Sequence, residues 1–167
     1  MNRLDLKMIN TNRKIKRYIL AFVLLCVSAV ITVFIKDTVD SLNPEQSLPI
    51  ASFSVGYTVP YVVRAGYTWS FGTKTVRSPY VPASDAPLVS YDCDPQTPIN
   101  VNFSAPYESV AIYQSVGALS DEFVPMGENP QTPAEEGMYI YKVEAKFNRG
   151  DIMYYFLLQV KKSNHIA

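Results

Sequence analysis

The sequence predicts an all-β domain, a sandwich of antiparallel sheets, carried behind one N-terminal apolar helix. Three observations lead there. Residues 18 to 35 form an uninterrupted apolar run, all 12 prolines lie at or beyond Pro44, and short β-branched and aromatic runs recur between turn signals through the rest of the 167 residues. Charge divides the chain in the same way. Lys+Arg and Asp+Glu balance at 15 each, but residues 1–36 carry a local +6, residues 37–43 carry −2, and residues 44–167 carry −4. A chain without net positive charge whose folded part is acidic has no footprint for nucleic acid.

The first element is the run YILAFVLLCVSAVITVFI, Tyr18 to Ile35, which contains no charge, Pro or Gly. As a helix it reaches roughly 27 Å, close to the thickness of a hydrocarbon core. Lipid leaves its backbone no hydrogen-bond partners outside the segment, so its many β-branched residues do not divert it into a strand. Ser28 and Thr32 are placed to bond back to the preceding turn. Arg13, Lys14, Lys16 and Arg17 precede the run, which predicts residues 1–17 as a cytoplasmic basic tail, 18–36 as the membrane span and the remainder outside. A cleavable signal has a shorter apolar core and a small-residue cleavage site, neither of which is present here, so the span is expected to stay as an anchor. Cys26 follows Leu25 and is followed by nine more apolar residues, which reads as an apolar thiol within the helix and not as a lipidation site.

Residues 37–50 follow, with Asp40, Ser41, Asn43, Pro44, Glu45, Gln46, Ser47 and Pro49, the composition of a hydrated linker. The folded region is expected over 51–163, with 164–167 as a tail. Its strands are predicted at Phe53–Val55, Tyr61–Arg64, Tyr67–Phe71, Thr73–Arg77, Leu88–Tyr91, Ile99–Phe103, Val110–Gln114 and Phe123–Met126. A C-terminal hairpin closes the series. There Tyr139, Tyr141, Val143, Ala145 and Phe147 alternate with more polar residues, Asn148 to Asp151 turn, and IMYYFLLQV (Ile152–Val160) returns. The returning strand is apolar on both faces, as a strand covered on both sides must be. Pro residues fall between or at the ends of these runs, where the missing ladder donor does no harm.

Candidate chemistry is sparse. His165, close to the C-terminus, is the one imidazole, which removes Ser-His-Asp and Cys-His mechanisms and histidine metal sites. Cys93 stands between Asp92 and Asp94, carboxylates that should raise its pKa; its competing role is an intermolecular disulfide. Asp92 and Asp94, with Asp85 nearby, could offer oxygens to Ca²⁺, although no Gly-containing ligand loop collects them. Arg149, Gly150 and Asp151 spell an integrin-type tripeptide at a position where turn chemistry also demands Asn148 and Gly150. Tyr67, Trp69 and Phe71 share one strand face, either a platform for sugars or a partner peptide or part of the core, and the core is the commoner use. Tyr80, Tyr91, Tyr107 and Tyr113 are the further surface candidates. No cofactor motif is present.

The string EEGMYIY, residues 135–141, resembles the immunoglobulin-type motif of an acidic residue, Gly, any residue and Tyr that opens the penultimate strand. The resemblance implies that the Tyr139 hydroxyl bonds to upstream backbone. Where that family carries Cys, this chain has Tyr141. VRAGYTWSF (63–71) and the hairpin 137–160 are similar to small membrane-anchored surface domains of Gram-positive bacteria, of uncharacterised function. These resemblances imply an immunoglobulin-like sandwich outside a cell membrane and carry no active site. The expected role is a non-catalytic binding or interaction domain of the cell envelope, attached through Tyr18 to Ile35 and facing an envelope component or membrane protein. An accessory subunit of a larger membrane complex is the alternative, and a hydrolase using Asp85, Asp92 or Asp94 the distant one.

Overall fold

The computed structural model describes residues 3–117 and 120–162, with side chains from residue 15 onward. Helix α1 (Arg3–Leu42) meets no Gly or Pro before Pro44 and runs for 40 residues, roughly 60 Å. Ser28 and Thr32 hydroxyls donate to the carbonyls of Leu25 (2.8 Å) and Ser28 (2.9 Å), so neither polar side chain is left unpaired on the apolar shaft. Residues Ile15–Leu42 make a helix long and apolar enough to cross a membrane, and none of its apolar stretch is buried by the rest of the chain. It stops one residue short of proline, because the residue before Pro is pushed out of the helical region; Asn43 sits at φ −127°, ψ 66°. Pro44 then opens the short helix α2 (Pro44–Ser47).

The reading of residues 37–50 as a hydrated linker is therefore corrected. Its polar composition suggested exposure because the partners of these residues are far away in sequence. Asp37 accepts from Arg149 at 2.9 Å, Glu45 pairs with Arg64, and the Pro49 carbonyl accepts the Tyr154 hydroxyl at 3.2 Å. Ser41 and Leu48 are buried. The segment is a docked joint between helix and sheet.

The described residues form nine strands: β1 (Ala51–Val55), β2 (Val63–Phe71), β3 (Lys74–Ser78), β4 (Ser90–Cys93), β5 (Ile99–Phe103), β6 (Ser109–Ser115), β7 (Phe123–Pro125), β8 (Gly137–Phe147) and β9 (Gly150–Val160). They build a seven-stranded sheet, ordered β3-β2-β9-β8-β6-β7, and a two-stranded sheet of β1 and β5. All pairs are antiparallel except β4, which lies parallel to the last four residues of β9, beyond the stretch that β2 occupies. Two predicted runs, 61–64 and 67–71, merge into β2 across an irregularity at Ala65. The hairpin is tighter than predicted. Pairing extends to Phe147 opposite Gly150, leaving Asn148 and Arg149 as its tip, and of the turn residues only Gly150 has positive φ.

The large sheet is buried on both faces, and β9 shows how. Ile152, Tyr154, Phe156, Leu158 and Val160 enter one cluster with Phe53, Val55 and Ile99 of the small sheet, while Tyr155 and Leu157 enter another with Ala65, Ala83 and Ile140. The strand split is seven to two because the second face is covered by residues 79–89 and not by strands. Pro79, Pro82 and Pro87 deny that segment a regular ladder. It is fastened at a 3-10 turn, Ala83–Asp85, where Asp121 Oδ1 accepts the amides of Ala83 (2.8 Å) and Ser84 (3.2 Å). At the start of β8 the Tyr139 hydroxyl donates to the Glu135 carbonyl at 3.3 Å. Tyr141, where a disulfide cysteine would stand in an antibody domain, stacks on Phe156 with centroids 4.9 Å apart, and no acceptor for its buried hydroxyl is present among the described residues.

Candidate functional site

Strand β9 begins at the helix joint and ends about 33 Å away by strand rise, so its last residues mark the end of the domain remote from α1. Here β4 lies along β9, and beside it the β1–β2 loop frames a cleft of about 430 Å³ lined by Gly56, Tyr57, Thr58, Asp92, Cys93, Asp94, Thr97 and Lys161. Backbone bonds set its shape. Thr58 Oγ1 donates to the Asp92 carbonyl (2.9 Å), Thr97 and Thr132 hydroxyls donate to the Asp94 carbonyl (2.9 and 2.8 Å), and the Lys161 amide donates to the Cys93 carbonyl (3.0 Å). Gly56 adopts φ +58° at the tight approach to Thr97, where a Cβ would lie 3.0 Å from the threonine methyl.

The charges around the cleft are mixed. Lys161 Nζ and Asp92 Oδ2 pair at 2.5 Å on the rim, both half exposed and so only weakly held. Cys93 is buried, and burial first, then Asp94 and Asp92, pushes its thiol from 9.0 up to about 11. A thiol that keeps its proton at neutral pH is a poor nucleophile. Because the folded thiol holds its proton more tightly than the unfolded one, its contribution to stability is complete below pH 9 and is lost as pH rises towards 11. In a Cys26→Ser chain held in maltoside micelles, Cys93 is expected to resist maleimide at pH 7.5 and to react once denatured; rapid alkylation of the native chain would contradict its burial.

The sequence-derived candidates separate. Asp85 belongs to the 3-10 turn on the other face of the sheet, away from Asp92 and Asp94, and among the described residues no group of three or more His, Cys, Asp or Glu is arranged to hold a metal ion. The Arg149-Gly150-Asp151 tripeptide has its side chains engaged: Arg149 donates to Asp37, and Asp151 accepts the Tyr80 hydroxyl. Burial and that carboxylate raise the Tyr80 phenol to about 12. Tyr67, Trp69 and Phe71 are core residues, each under 5% exposed, which removes the platform reading. Tyr113 donates to Glu144 at 3.2 Å beneath Lys142, Tyr91 packs partly against the core, and Tyr80 and Tyr107 are about half exposed. Cys26 is a free thiol on the exposed surface of α1, and His165 lies outside the described residues.

Sequence reasoning missed Tyr57. It is fully exposed on the cleft wall, with Val59 and Tyr61 exposed on the same loop. The local signal was an aromatic residue held between Gly56 and Pro60, outside any alternating run. No family model matches the chain, and comparison with curated proteins and with solved structures returns no match.

Proposed function

We propose that the chain is a single-pass membrane protein of a bacterial cell envelope whose sheet domain, outside the cytoplasm, works as a non-catalytic binding or interaction module. The observation that carries this reading is the placement of the remote cleft. An exposed aromatic loop and a mixed-charge hollow sit at the far end of β9 from an apolar helix whose own end is docked onto the domain. A module built this way holds its contact surface away from the bilayer at a set distance. Binding, not chemistry, is supported by the raised Cys93 pKa and by the separation of Asp85 from Asp92 and Asp94. The Tyr139 hydroxyl bonded to upstream backbone at the mouth of the penultimate strand supports an immunoglobulin-like ancestry for the sheet. The excess of Lys and Arg before the span supports a cytoplasmic N-terminus.

The apolar sides of α1 favour a second reading, in which the helix packs against another membrane protein and the chain serves as an accessory subunit. Ala29, Val30, Val33 and Phe34 border a shallow apolar hollow on its shaft.

Orientation is tested with single added cysteines and a membrane-impermeant maleimide on intact cells. Val116→Cys, at an exposed position, is expected to label, and Asn12→Cys only after lysis. The reverse pattern overturns the proposal.

A further inference from the structure

Another hollow lies at the other end of the domain, beside the point where α1 arrives. It measures about 390 Å³, and its walls include Ser47, Trp69, Tyr107, Glu108, Asn148 and Arg149. One wall residue is anomalous. Trp69 is 4% exposed, and its indole N–H is a fully buried donor for which no acceptor is present among the described residues. Closed off from water, that N–H does not itself meet an occupant, but its ring borders the hollow and senses what fills it. The donors are neighbouring groups. Arg149 presents a five-donor fork of which the bond to Asp37 uses one N–H, and its side chain is 42% exposed. The Asn148 amide and the Tyr107 hydroxyl are exposed beside it, while Glu108 is the carboxylate among these wall residues.

Position supplies the rest of the argument. Asp37, the helix partner of Arg149, stands two residues past the apolar run that ends at Ile35. In the membrane reading proposed above, on which this inference rests, the hollow therefore faces the headgroup layer of the leaflet from which the helix emerges. That layer is where phosphate oxygens are concentrated, and where Tyr, Trp and Arg side chains commonly settle.

We infer that this hollow receives the phosphate-bearing headgroup of a phospholipid, with the Arg149 guanidinium on the phosphate oxygens and the Asn148 amide and Tyr107 hydroxyl beside it. Arginine suits the role because its fork matches two phosphate oxygens at once. The bound lipid fastens the membrane-facing end of the sheet to the leaflet, in addition to the anchor itself.

The chain has one tryptophan, so its indole N–H resonance reports on the hollow alone. Full-length protein in maltoside micelles, which carry no phosphate, is titrated with dihexanoyl-phosphatidylglycerol, with inorganic phosphate, and with a proline-rich peptide. The lipid is expected to shift the indole resonance saturably at concentrations where inorganic phosphate does nothing. Arg149→Gln should weaken the lipid response roughly tenfold. Asp37→Asn breaks the same tether to the helix but keeps the guanidinium, and should leave the response within about twofold. An unmoved resonance, an equal response to inorganic phosphate, a response to the peptide alone, or equal losses in the two variants would each overturn the inference. Because the titration needs no bilayer, its failure is distinct from a failure of the maleimide test of orientation.

Discussion

Gly150→Ala is expected to destabilise the sheet domain by about 3 kcal/mol or more, a large share of the roughly 5–15 kcal/mol that keeps an ordinary domain folded. Gly150 begins β9 at the tip of the long hairpin, paired with Phe147 of β8 on one side and Trp69 of β2 on the other. Its φ of +152° is one that side-chain-bearing residues rarely adopt, and a Cβ placed there would lie 1.9 Å from the Thr68 carbonyl oxygen. The obstacle is backbone on a central strand, so relief requires moving β2 away from β9. That movement would also disturb the Arg149 carbonyl, which accepts the Ser70 amide at 2.8 Å, and the Trp69–Phe147 ring contact at 5.4 Å. Gly127→Ala is the matched control, because nothing lies within 4 Å of the added methyl, and it should change stability by no more than about 0.5 kcal/mol. Denaturant unfolding of the full chain in maltoside micelles, followed through Trp69 fluorescence, measures both. Equal midpoints for Gly150→Ala and the parent would mean that the three strands do not meet as closely as the structure places them.

The same glycine shows which parts of the molecule the sequence makes legible. Alternation and turn chemistry announced the hairpin, and the two-sided apolar character of Ile152–Val160 correctly placed that strand in a sheet covered on both faces. Those are local signals, carried by residues adjacent along the chain. The cover was not legible, because residues 79–89 bury Ala83 through a cap supplied by Asp121, 38 residues away from Ala83, and Pro-rich segments look alike whether docked or free. The joint was hidden for the same reason. Asp37 looks like a linker residue until Arg149, 112 positions later, is brought beside it. The site followed this division. Cys93 and its two flanking aspartates were visible as a local cluster, and the structure adds that burial outweighs those charges in raising the thiol. Tyr57 carried no pattern of its own, and only the meeting of the β1–β2 loop with β4 gives it a cleft to border. The Trp69 stripe misled in the opposite sense: a sequence can show that three aromatic residues share a face but not what lies over it, and here β1 and β5 cover it.

Phe53→Ala is expected to cost about 3–5 kcal/mol, and the loss should fall first on the small sheet. Phe53 is 1% exposed and touches rings from both layers: Phe103 of its own sheet at 6.3 Å, and Tyr154 and Phe156 of β9 at 6.1 and 5.2 Å. The β1–β5 pair has five residue pairs and, among the described residues, no further strand on either side, and a two-stranded ribbon of that length is not stable alone in water. Its persistence depends on the apolar face it lays on the large sheet, to which Phe53 is the most deeply buried aromatic contributor. Truncation leaves a cavity against Phe156, which the stacked Tyr141 ring behind it cannot fill without abandoning its own contact. Hydrogen exchange separates this from a general weakening. In Phe53→Ala the amides of residues 51–55 and 99–103 should exchange much faster while those of β8 and β9 remain the slowest in the chain, since the eleven-pair hairpin keeps its ladder and its second buried face. Leu157→Ala, cut from that second face, should cost about 2–5 kcal/mol without singling out β1 and β5. If Phe53→Ala lost less than about 1 kcal/mol, or if both variants accelerated the same amides, the small sheet would not be held by the face assigned to it. The remote cleft, one wall of which follows directly from β1, would then need a different support.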